Sequence, residues 1–445
     1  MDSLEELKEF LRFPSISTQP EHAPDLVACA EWLRKKLSSF GLDATVYPTP
    51  GSPVVFARTA HDPAKRTVLI YGHYDVQPPD PLEGWTTPPF EPRIENGRIY
   101  ARGAADNKGQ ILAHILGVAE TLREKGSLPV NVLFLIEGEE EIGSPHLADF
   151  LREHRTELAC DVAAISDTAM APGNRPALTY ALRGIAAMEL LVRGPARDLH
   201  SGLFGGAVAN PATVVARLLS TLHDAYGRVL IPGFYDAVRP LAPWERNAAV
   251  ALEEASGGDA AIKELAGVTE LVGEKGFTTI ERIGARPTAE VNGIGGGYQG
   301  AGTKTVLPKE AFAKLTFRLV ADQDPAVILN AAEEYLRSMT PPGVLLEVVT
   351  GHAGTAYQSD PNAPDGLAAR KALSEAFGAE PLLLRDGGSI PILSTLKEIL
   401  GVDSYLLGLA NPDSQIHSPD ENMLIENFLG GIRMNRILLE ELGRP

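Results

Sequence analysis

Residues 130–144 read Val-Asn-Val-Leu-Phe-Leu-Ile-Glu-Gly-Glu-Glu-Glu-Ile-Gly-Ser. Val130 to Ile136 is, but for Asn131, an apolar run of strand length, flanked by turn residues and too short for a core helix. A strand without polar alternation is buried on both faces, as in a sheet with helices on either side. The acidic residues that follow, Glu137 to Glu141, then fall at the sheet's carboxyl edge. Taken alone, three consecutive carboxylates read as a solvated loop.

The same alternation extends in both directions. Ser3 to Phe10, Asp25 to Phe40, Gln110 to Lys125 and Pro145 to His154 have helical period, with Gly41 and Gly126 as stops. Val54 to Phe56, Thr67 to Tyr71 and Val162 to Ile165 read as strands. After residue 185 the order changes. Strand Ala186 to Val192, helix Pro211 to His223, strands around Glu290 and Leu315, helix Pro325 to Arg337 and strand Val344 to Val349 describe a small two-layer α+β unit. The first pattern then returns: helix Leu367 to Phe377, strand Pro381 to Leu384, helix Pro391 to Leu400, strand Ser404 to Leu407 and a terminal helix Glu421 to Leu442. The prediction is an α/β catalytic domain, residues 1–184 and 357–445, with a central mixed, mostly parallel sheet flanked by helices. A second domain, 185–356, is inserted into it. Residues 224–285, rich in charge and glycine, give no clear element.

Composition narrows the partners. Lys and Arg number 40 against 58 Asp and Glu, a net charge of −18. That balance argues against nucleic acid or an anionic membrane as partner, since both need a basic footprint. The two cysteines, Cys29 and Cys160, are no disulfide framework for 445 residues, so a reducing, cytoplasmic setting fits. The N-terminal Met-Asp-Ser-Leu-Glu-Glu-Leu has neither the basic nor the apolar region of a secretion signal. No apolar run approaches the ~18 residues that span a bilayer.

Strand Thr67 to Tyr71 runs into Gly72-His73-Tyr74-Asp75, and open α/β sheets bind ligands beyond such strand ends. Asp106 stands in Arg102-Gly-Ala-Ala-Asp-Asn-Lys-Gly109, just ahead of a helix. Ser166-Asp167-Thr168 follows Val162 to Ile165, and Ser414-Gln-Ile-His-Ser418 follows Tyr405 to Leu407 and its loop. Each has an ordinary reading, as a turn histidine, a helix cap or an acidic loop. Together they gather two histidines and three carboxylates at one sheet edge. That set suits two divalent ions of the zinc or manganese type, with a neighbouring Glu left over as a base.

These segments, with Gly84-Trp85, Pro89-Phe-Glu-Pro92, Asp198-Leu-His-Ser-Gly202 and Gly387-Gly-Ser-Ile-Pro391, resemble the dinuclear metallopeptidases. That family includes carnosinase, cytosolic non-specific dipeptidase, carboxypeptidase G and acetylornithine deacetylase, and the dipeptidase branch is the most similar. The resemblance implies that Asp106 bridges two ions, with His73 and Asp167 on one and Glu141 and His417 on the other. The ions would be zinc, manganese or cobalt. Glu140 would be the general base, Asp75 would orient His73, and the Asp106–Asn107 peptide would be cis. The inserted unit would be a lid and dimerisation domain. From it His200 would reach the partner subunit's site in a homodimer and polarise the scissile carbonyl. Arg318 would grip the substrate carboxylate, and Thr305, Gly388 and Ser389 would line the pocket. The implied activity is hydrolysis of dipeptides or short peptides, favoured over deacylation or carboxypeptidase action by Tyr74, Gln77 and the Asp at 167. The acidic run is three long, so giving Glu140 and Glu141 their roles depends on alignment to Gly143-Ser144.

Overall fold

The computed structural model describes residues 2–388 and 390–444. Strands Thr67–His73 and Asn131–Glu137 lie in parallel with His73 opposite Glu137, and every residue of both is buried. Their side chains alternate between two cores. Val68, Ile70, Val132, Phe134 and Ile136 point into one, and Leu69, Tyr71, Leu133 and Leu135 into the other. The two-residue period of a strand with apolar residues at both phases dictates this. Helices Ala23–Ser39, Lys108–Lys125, Pro364–Phe377 and Ile425–Leu442 close the first core. Leu147–Glu153 and Pro391–Leu400 close the second.

Among the described residues the sheet has nine strands. Across it run Asp43–Tyr47, Val54–Arg58, Asn131–Glu137, Thr67–His73, Val162–Ile165, Ser404–Leu407, Ala177–Leu182 and Tyr357–Gln358, with Leu382–Asp386 also on Ala177–Leu182. Asn131–Glu137 through Ser404–Leu407 form a parallel centre, so their carboxyl ends share one edge. The flanking pairs are antiparallel, apart from Leu382–Asp386.

A separate four-stranded antiparallel sheet orders Thr288–Gly296, Glu310–Leu319, Gly184–Arg193 and Leu345–Gly354. Helices Pro211–Ser220 and Pro325–Ser338 cover one face, onto which Ala311, Ala313, Leu315, Phe317 and Leu319 project. Phe312, Lys314, Thr316 and Arg318 therefore occupy the opposite face.

Three readings change. The terminal helix begins at Ile425, not Glu421; Asn422–Leu424 is a strand paired to Arg98–Tyr100. Residues 224–285 contain helices Pro243–Ser256, Gly258–Ala266 and Thr279–Ala285. Ala177–Leu182, not anticipated as a strand, joins the large sheet.

Candidate metal centre

His73 ends its strand fully buried. Its Nε2 lies 3.1 Å from Asp106 Oδ1 and 3.6 Å from Asp167 Oδ1. Asp75, two residues on, meets His73 Nδ1 at 3.3 Å and also accepts the backbone N–H groups of Glu140 and Glu141 at 3.2 and 3.1 Å. One carboxylate thus fixes both the imidazole and the acidic turn. That turn is a short 3-10 helix, Glu140–Ile142, closed by Gly143 in the left-handed region. The solvated-loop reading does not hold for Glu139, whose buried carboxylate accepts from Ser52 N–H and pairs with His146.

Asp106 stands between two imidazoles. Its second oxygen, Oδ2, is 3.0 Å from Nε2 of His417, and His417 Nε2 is 3.3 Å from Glu141 Oε2. Two ligand groups result, His73–Asp106–Asp167 and Asp106–Glu141–His417, each with donor atoms within 4.8 Å. Asp106 belongs to both. The Asp106–Asn107 peptide is cis.

The cluster's electrostatics follow from burial and close mutual charge. Burial pushes the Glu140 carboxyl up to about 9, opposed by His73 and reinforced by Asp167 and Asp106. Hydrogen bonds to Asp106 and Glu141 lift His417 to about 10. Glu141 Oε1 is buried with no hydrogen-bond partner among the described residues. A buried carboxylate oxygen without a donor, amid converging carboxylates and imidazoles, fits a divalent cation.

Two residues that hold this cluster escaped the sequence reading. Asn107 donates from Nδ2 to Asp167 Oδ1 at 2.8 Å and to Ser166 O at 2.5 Å. Glu421, fully buried, accepts the N–H of Gly103, Ala105 and Asp106 and the Arg102 guanidinium, all within 3.0 Å. Glu421 follows His417 by four residues, a weak signal easily taken for the acidic start of a helix.

The remaining candidates stand on other elements. His200 pairs with Val306 in a two-residue ladder, and Ser201 N–H donates to Thr305 O, so His200 and Thr305 are neighbours. His200 is exposed, and its Nδ1 accepts the Gly202 N–H at 3.0 Å. The neutral ring therefore carries its proton on Nε2. Arg318 faces a cleft of about 650 Å³ beside Thr316, Glu290 and Arg183. Gly388 N–H donates to Asp386 Oδ1, while Ser389 falls outside the described residues.

A model of the peptidase family M20/M25/M40 matches residues 69–441. The chain belongs to this family. Its M20 relatives span it almost end to end. A Cys-Gly metallodipeptidase of Candida albicans is 33% identical, covering 97% of this chain and 92% of the relative. The beta-Ala-His dipeptidase of Homo sapiens is 32% identical, over 96% of this chain and 87% of its own. Among solved structures, an M20 family metallo-carboxypeptidase from Sulfolobus solfataricus superimposes with a TM-score of 0.82. It is 34% identical and covers 100% of this chain and 99% of that one. M20 proteins are metal-dependent peptidases, and the two ligand groups are where this member could hold its ions.

Proposed function

We propose that this M20 peptidase hydrolyses the amide bond of dipeptides with two divalent ions per chain. The observation that carries this is the Asp106 carboxylate shared between His73 and His417, with Asp167 and Glu141 completing the two groups. The dipeptidase names of relatives about a third identical over nearly the whole chain support the substrate class. His73, Asp106 and Asp167 would hold one ion, and Asp106, Glu141 and His417 the other. Zinc, manganese and cobalt all suit these donors. When bound, such ions acidify water and polarise a carbonyl.

The chain's own residues then divide the work. Glu140 takes the proton of the attacking water onto its carboxylate and returns it to the leaving amine nitrogen. Asp75 keeps Glu140 and His73 in register, since it contacts both segments. His200, protonated at Nε2, donates to the developing oxyanion. Its Nδ1 contact is with Gly202 at its own strand-to-helix turn, and its exposure leaves it open to a partner subunit in a homodimer. Arg318 takes the substrate's carboxylate, a bidentate task suited to a guanidinium. Thr305 and Gly388 would line the pocket. Residues 185–356 act as the lid on the domain formed by 1–184 and 357–445. A cytoplasmic site of action belongs to this reading, because neither cysteine is in a disulfide. No helix among the described residues is long and apolar enough to cross a membrane.

The test is a substrate panel on the metal-loaded enzyme. Unblocked dipeptides should be cleaved, and N-acetyl and N-succinyl amino acids should not. Turnover of only the acylated amino acids would replace this reading with a deacylase. The Sulfolobus relative's name motivates one more arm, tri- and tetrapeptides. Faster cleavage of those with release of the C-terminal residue would make the enzyme a carboxypeptidase.

A further inference from the structure

The cleft that contains Arg318 is lined by four arginines, Arg183, Arg282, Arg286 and Arg318, against two carboxylates, Glu274 and Glu290. In a chain of net charge −18 this local excess of cation is unusual. Two of the arginines are satisfied within the fold. Arg286 makes a two-pronged pair with Glu274 at 2.6 and 2.8 Å, and Arg282 donates to the carbonyls of Glu274 and Val272. Arg183 is different. Its Nε is sealed from solvent and has no hydrogen-bond acceptor among the described residues. Burial and the neighbouring charge of Arg318 hold its guanidinium down to about 10, partly offset by Asp386 and Glu290.

Arg183 also sits where two sets of substrate candidates meet. It lies between strands Ala177–Leu182 and Gly184–Arg193, one in each sheet. Its N–H donates to Asp386 O, next to the Gly387–Gly388 segment. A Cβ on Gly387 would come within 2.9 Å of the Arg183 terminal nitrogen, so glycine there leaves the guanidinium its place. On its other side is Arg318, on the uncovered face of the four-stranded sheet. A guanidinium that lines the cleft beside a second guanidinium, with its own Nε buried and unpaired, is costly unless an anion meets its terminal nitrogens.

We infer that Arg183 is a second carboxylate-binding residue of this cleft, and that the favoured substrates are dipeptides with an acidic C-terminal residue. The α-carboxylate would sit at Arg318 and the side-chain carboxylate at Arg183. This rests on the dipeptidase reading and names its substrate class. Arg183 acts on specificity and takes no part in bond cleavage, so its effect belongs in KM.

The test compares Ala-Glu with its neutral isostere Ala-Gln on the metal-loaded enzyme. Wild type should show a KM for Ala-Glu roughly tenfold below that for Ala-Gln, the scale of one charge-assisted hydrogen bond. Arg183→Gln should raise the Ala-Glu KM about tenfold and leave its kcat and both constants for Ala-Gln within about twofold. Arg183→Lys should recover part of the preference. Equal KM values for the two dipeptides in wild type would overturn the assignment without any variant. So would an Arg183→Gln enzyme that weakens both dipeptides alike. Cleavage of both dipeptides without discrimination would leave the dipeptidase reading standing and remove only this one. Cleavage of neither while other unblocked dipeptides are turned over would also remove only this one, and cleavage of no unblocked dipeptide would remove both.

Discussion

Glu421 Oε1 accepts the backbone N–H of Asp106 at 3.0 Å, and the same carboxylate takes three further donors from the Arg102–Ala105 segment. Four donors occupy the lone pairs of one buried anion. The loop bearing Asp106 and the loop bearing His417 are thereby joined through a residue that need not touch a metal. An amide at this position would turn an N–H₂ towards N–H donors.

Glu421→Gln should therefore destabilise the protein by about 3 kcal/mol or more, since it removes charged hydrogen bonds and strands buried partners. It should also lower metal content at neutral pH. Urea unfolding and metal analysis on the same preparation check this. A variant with wild-type stability and full metal loading would contradict it.

Glu140→Gln should cut kcat by about a thousandfold or more, in the range of a lost general base, with metal content unchanged. Hydrolysis at near wild-type rate would remove Glu140 from the role of base.

His200→Ala should lower kcat by roughly a hundredfold, the scale of one oxyanion donor, again with metals in place. If His200 works across a two-fold dimer, mixing and re-associating His200→Ala with Glu140→Gln subunits should restore about a quarter of wild-type activity, because half the dimers are hybrids with one intact site. Two inactive proteins whose mixture stays inactive after subunit exchange would place His200 in its own chain's site or outside catalysis.

His114 gives the clearest pH dependence. Buried without a charged partner, it donates from Nε2 to Ser166 and accepts at Nδ1 from Asn435, and burial pushes its pKa down to about 4. The folded state keeps the ring neutral while the unfolded chain takes up a proton below its ordinary value of 6.5. Stability is thus lost as pH falls from 6.5 towards 4, by about 3 kcal/mol from this group. His114→Gln retains a donor and an acceptor but cannot titrate. Between pH 7 and 4 it should lose that much less stability than wild type, measured by urea unfolding of the metal-free proteins.

The ligand cluster was legible because its members follow short apolar strands. An apolar run such as Val132 to Ile136 can only be a buried strand, and whatever polar residue follows it is delivered to the shared edge. His73, Glu141 and Asp167 are delivered in this way. The supports of the cluster were not legible. Glu421 stands before an apolar helical run and reads as that helix's first turn, yet three strand residues intervene. Arg183 is a lone cation between two strands, and nothing in its neighbours tells that its Nε is buried. Pro243–Ser256 and Gly258–Ala266 meet head to tail at Gly257, with glycine and charge obscuring the period. Long-range partners decide these cases, and local pattern carries no record of them.

The most direct measurement strips the enzyme of metal and follows hydrolysis of one unblocked dipeptide while zinc or manganese is added back. The stripped protein should show no turnover, with full recovery as the bound metal reaches two ions per chain. Undiminished dipeptide hydrolysis with no metal bound, or none with both ions in place, would contradict the two-ion dipeptidase reading.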